Sequence, residues 1–146
     1  MNAEILAVGS GKDASLLISG ARQVWNIPLA GKQWIADTTA TGRSAVKDAR
    51  FSTFASANLT ADGAQNLVAL DGVNDGIEVF ANDAKNGFSS VASFRVLSDE
   101  RLVSKGQGDR NAPDVREAVG GDFDNDGKGD LAVLCHDRLL MYKQEK

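Results

Sequence analysis

The stretch GDFDNDGKGD, Gly121 to Asp130, constrains this chain more than any other ten residues in it. Carboxylates recur at Asp122, Asp124 and Asp126, and a fourth follows at Asp130. The three alternating side chains converge only if the backbone curls around a common point, and Gly127 permits the curl because glycine takes positive φ without steric penalty. Gathered carboxylates repel one another, so the loop asks for a cation. A dense set of oxygen ligands suits Ca²⁺, which takes six to eight oxygens at roughly 2.3–2.6 Å, whereas Mg²⁺ demands a stricter octahedron and keeps several waters. The expected ligands are the side chains of Asp122, Asp124, Asp126 and Asp130 and the backbone carbonyl of Lys128.

An EF-hand opens with the same D-x-D-x-D-G but needs a bidentate Glu at its twelfth position, where this chain has Val133. Asp130 runs directly into LAVLC, an apolar run too short for an exiting helix. The loop is therefore nine residues long and leads into a strand. Turn chemistry alone, with Asp and Asn capping their own backbone, explains Asp-Gly but not the 1, 3, 5, 9 spacing.

GDFDNDGKGDLAVL followed by HDRLLMY resembles the FG-GAP or VCBS repeat of integrin-α-like β-propellers, whose loop reads D-x-D-x-D-G-x-x-D-[LI]. The resemblance is complete from Asp122 to Leu131 and weaker elsewhere. It implies one four-stranded blade per repeat, with calcium bound between the first two strands.

Internal repeats support a repeated architecture. ANLTADGAQN, Ala57 to Asn66, aligns with GDFDNDGKGD, and NLVALDGVNDGIEVFAN aligns with the residues after Asp130. Asn58, Thr60, Asp62 and Asn66 then occupy the four ligand positions, and Gly63 keeps the glycine. One carboxylate of four remains, which marks a degenerate loop with weak or no metal binding. A third copy, SLLISGARQVWNIPL, follows a shortened loop in which only Asp13 offers a carboxylate. Leu16, Leu67 and Leu131 are equivalent in this alignment.

Short apolar or alternating runs bounded by Gly, Asn and Asp read as eleven strands, with no competing helical period. They are 5–8, 15–19, 23–27, 33–37, 51–57, 66–70, 77–81, 90–97, 115–120, 130–135 and 139–143, and Asn74-Asp75-Gly76 supplies a hairpin turn. The expected fold is all-β: propeller-type, four-stranded antiparallel blades, about three per chain, the last incomplete. The blades fall near 3–40, 51–97 and 115–146, with a linker at 98–114. Propellers typically close with four to eight blades, so this chain implies self-assembly into a ring or the remainder of a larger propeller. A third blade without its outer strand leaves an edge open to pairing, and the N-terminal segment is one candidate to cover it.

The remaining motifs point to structure rather than chemistry. Cys135 and His136 are strand neighbours pointing to opposite faces, and with no second histidine they build no Cys/His or Ser/His/Asp site; Cys135 is expected buried, and His136 and Asp137 in a turn. Trp25 and Trp34 are expected to pack between blades rather than stack on a sugar. KGQGDR, beside Arg101 in the linker, lacks the spacing of a phosphate loop. A net charge of −4 argues against nucleic acid, and no stretch reaches the length of a membrane-spanning helix. The residues from Met1 to Val8 lack the basic start of a signal peptide, and one cysteine gives no disulfide framework.

These features together predict a non-catalytic, calcium-binding module for protein or glycan interaction. By its resemblance it works outside the cytoplasm, at a cell surface or in a periplasm. The alternative is an accessory region of a larger extracellular enzyme, with catalysis elsewhere.

Overall fold

A computed structural model describes residues 4–8, 15–20, 22–29, 40–60, 64–83, 87–96, 115–135 and 138–144. These residues form an all-β fold of eleven strands in three antiparallel sheets. The first sheet is a meander of β1 (Glu4–Val8), β2 (Ser15–Ser19), β3 (Gln23–Pro28) and β4 (Ala40–Arg43). The second contains β5 (Thr53–Ala57), β6 (Asn66–Asp71), β7 (Gly76–Asp83) and β8 (Gly87–Arg95). The third has three strands: β9 (Glu117–Gly121), β10 (Asp130–Leu134) and β11 (Leu139–Tyr142). The four, four, three grouping is the one that the sequence pattern predicts.

The sheets stack through two cores. Leu17 and Val24 of the first sheet meet Leu67, Ala69, Phe80 and Phe88 of the second. On its other side the second sheet presents Ala55, Val68, Leu70 and Ile77 to Ala118, Leu131 and Val133 of the third. Because successive strand residues point to opposite faces, a strand between two cores must be apolar throughout. LVAL in β6 satisfies this, and all six residues of that strand are buried. Gly120 of β9 lies so close to β5 that a Cβ there would overlap Ala57. The aligned leucines keep one parity: Leu67 faces the first sheet and Leu131 the second, while Leu16, beside inward-facing Leu17, points away from the stack.

The structure departs from the expected strands in several places. The strand expected at 33–37 lies outside the described residues; the fourth strand of the first sheet is β4, whose ATGR carries little strand signal but pairs Thr41 with Trp25. The strand expected at 90–97 begins earlier, at Gly87. Glu4–Val8 pairs with β2 along its whole length, so it is the first strand of its own sheet. Trp25 is half-buried and does not sit in the core between sheets: it pairs with Ile18, on the face opposite Leu17 and Val24. Trp34, Asp13, His136, Asp137 and the 98–114 linker lie outside the described residues. Cys135 is buried, as expected.

The turn at 72–75 shows a device that the sequence pattern does not reveal. The buried Asp71 carboxylate accepts the N–H groups of Arg50, Val73 and Asn74 and the Asn74 side-chain amide. Positive φ falls on Asp75 (53°), not on Gly76.

Candidate metal centre

The loop from Asp122 to Gly129 joins β9 to β10, the first two strands of the third sheet. Its curl comes from two left-handed residues, Asn125 (φ 60°) and Gly127 (φ 85°). Asn is among the residues that best tolerate this region, and Gly enters it freely. The carboxylates hold the curl. Asp122 accepts the N–H of Asp126 at 3.1 Å and of Gly127 at 3.0 Å, and Asp124 accepts the N–H of Asp126 at 3.2 Å. Asp130, buried at the start of β10, accepts Phe123 N–H at 3.0 Å with one oxygen and Gln144 N–H at 3.2 Å with the other.

This geometry gathers three of the four expected carboxylates. Oxygens of Asp122, Asp124 and Asp130 all lie within 4.8 Å of one another. Asp126 stands apart from that group: its carboxylate accepts the Lys128 N–H at 2.9 Å and pairs with the Lys128 ammonium at 3.5 Å. This donor set, all hard carboxylate oxygen around a left-handed turn, could hold a metal ion.

A cation from the chain already reaches the cluster. Lys143 Nζ lies 3.0 Å from Asp124. Its hydrogen bond holds the Asp124 carboxyl below the usual carboxylate range. Reciprocally, that hydrogen bond and the Asp124 charge raise the Lys143 ammonium, and Asp130 and Asp126 add to the rise. Lys143 is not among the residues expected at the site, although hairpin register signals it. Leu131 pairs with Tyr142, which brings the next residue beside Asp130.

The aligned loop, 58–66, is also the link between the first two strands of its sheet. Asn66 is buried and its Oδ1 accepts Leu59 N–H at 2.7 Å and the Thr60 hydroxyl at 3.2 Å. With the Asn58 amide turned so that its nitrogen faces inward, it donates to the carbonyls of Thr60 and Ala64, both at 3.3 Å. Asp62 and Gly63 lie outside the described residues. Asn58 and Asn66 thus tie the backbone of this loop through neutral groups, while the buried Asn66 amide nitrogen has no partner among the described residues.

Among the described residues no helix is long and apolar enough to cross a membrane. Comparison with known protein families, with curated proteins and with solved structures finds no match to this chain.

Proposed function

We propose that this chain is a non-catalytic, calcium-binding module of β-propeller type, serving protein or glycan recognition where free calcium is high, outside the cytoplasm. The observation that carries the reading is the convergence of Asp122, Asp124 and Asp130 on a left-handed turn between the first two strands of a sheet. The resemblance of the 122–131 sequence to an FG-GAP type loop supports the same reading. In bound calcium, Asp126 and the Lys128 carbonyl would complete the ligand set, which requires Asp126 to leave the Lys128 N–H. Sheets stacked face to face, each a four-stranded meander or a three-stranded part of one, support the propeller component.

The absence of a catalytic role is supported by the way buried carboxylates are spent. A hollow of about 430 Å³ beside β7 is lined by Asp71 and Glu78 among others. Glu78 accepts the Ser44 hydroxyl at 2.6 Å and Ala45 N–H at 2.8 Å, tying the end of β4 to the second sheet. Asp71 is occupied by its turn. Such acceptors organise backbone.

Calcium that binds only the folded chain stabilises it. Thermal melting in millimolar calcium, in magnesium and in chelator tests the reading: a higher melting temperature in calcium, unmatched by magnesium, is expected. Identical melting under all three conditions would contradict it.

A further inference from the structure

We propose that the outward face of the third sheet docks the first sheet of a second copy of this chain, head to tail. The inference deepens the propeller reading and rests on the stacking of the sheets, not on calcium.

Each sheet has a face toward the preceding sheet and a face toward the following one. The second sheet uses both. Its forward face carries Ala55, Leu70, Ile77 and Val79, exposed by 7%, 0%, 1% and 5%. Strand pairing identifies the counterparts in the third sheet. Leu70 lies opposite Ile77 as Leu134 lies opposite Leu139. Val68 lies between Ala55 and Val79 as Ala132 lies between Val119 and Met141. Val119, Leu134, Leu139 and Met141 are exposed by 56%, 44%, 62% and 46%. Residue types suited to a covered face therefore stand in water on the third sheet.

The loop continues the same correspondence. Leu59, seven residues before Asn66, packs against the core between the second and third sheets. Phe123, seven residues before Asp130, is exposed, and its ring lies 3.3 Å from where a Gly121 Cβ would stand. Gly121 has the parity of Val119, so the ring extends the forward face. A contiguous apolar patch of this kind marks an interaction surface.

The occupant follows from the two interfaces inside the chain. In each, a forward face is covered by the rear face of another sheet. The rear faces of the second and third sheets are used. That of the first sheet carries Ile5, exposed and paired with Ile18, together with half-buried Trp25 and Ile27. Among the described residues no sheet packs on it. Joining a forward face to a different, rear face is a heterologous contact, which closes a ring or propagates.

The test is sedimentation of the 146-residue chain alongside two exposed-site variants, Ile5→Glu and Leu139→Glu, with circular dichroism confirming their fold. The parent is expected to form oligomers that grow with concentration, and each variant alone to sediment as a monomer. An equimolar mixture of the variants should give dimers and nothing larger, because each retains the face the other has lost. A monomeric parent at its highest soluble concentration, a mixture that stays monomeric, or a variant that still dimerises with itself would overturn the proposal. Met141→Glu replaces Leu139→Glu should the latter unfold. A parent that binds calcium yet remains monomeric overturns the docking and leaves the metal reading standing.

Discussion

Two loops of this molecule lie side by side, 58–66 and 122–130, sharing an anchor but differing in charge. In each, a buried side-chain oxygen at the ninth position accepts the N–H of the second residue: Asn66 from Leu59, Asp130 from Phe123. At the first position, Asn58 donates inward to carbonyls, whereas Asp122 accepts backbone N–H groups and presents negative charge. The loops also touch, since a Cβ on Gly129 would overlap the Asn58 carbonyl. The difference separates two jobs that the repeat combines. The ninth-position oxygen builds the turn with or without charge, and carboxylates at the first and third positions add the oxygens that could hold a cation.

The comparison breaks hardest at the shared anchor. Asp130→Ala leaves the N–H groups of Phe123 and Gln144 without the buried carboxylate that accepts them; we expect a loss of about 3 kcal/mol together with loss of calcium binding. Chemical denaturation and a calcium titration of that variant measure both. Asn66→Ala removes the acceptor of one backbone N–H and of the Thr60 hydroxyl, but it also removes a buried amide nitrogen that has no partner among the described residues, so its cost should be smaller. Equal costs would show that the two anchors do not differ as described.

Gly129→Ala strikes the contact between the loops. The backbone of Asn58 has to shift to admit the methyl group, and the expected loss is about 2 kcal/mol. Unchanged stability in denaturant would show that the loops do not press together.

The missing charge can be restored to the 58–66 loop. Asn58→Asp, Thr60→Asp and Asn66→Asp together, with Asp62 already present, recreate the carboxylate pattern, and a titration should then count two calcium ions per chain instead of one. A count that stays at one would mean that charge pattern alone does not make the site.

The smallest expected effect is at Lys143. Lys143→Met removes a positive charge beside the cluster and should tighten calcium binding about threefold, as expected for loss of a partly solvated repulsion. Weaker binding would show that the ammonium holds Asp124 in place rather than competing with the ion.

Much of the fold is legible in the sequence because two strong signals coincide. LVAL, apolar on both faces, announces a strand between two cores, and the repeat alignment gives the same parity to Leu67 and Leu131 that the stacked sheets display. β4 escapes detection because ATGR offers no alternating apolar pattern; its place is set by pairing with β3. The site is legible in composition but not in orientation. The 1, 3, 5, 9 spacing names four aspartates, yet Asp126 turns to cap Lys128 while Lys143, thirteen residues beyond Asp130, reaches in through hairpin register. Trp25 misleads because an aromatic reads as core, whereas its strand parity sends it to the opposite face.

The proposed function turns on calcium binding by the 122–130 loop and not by the 58–66 loop, which has a single carboxylate. Calorimetric titration of calcium into the parent chain and into Asp124→Ala, which removes one of the three clustered carboxylates, tests it most directly. One ion per parent chain and none for the variant is the predicted result. No binding by the parent, or equal binding by both, would contradict the account.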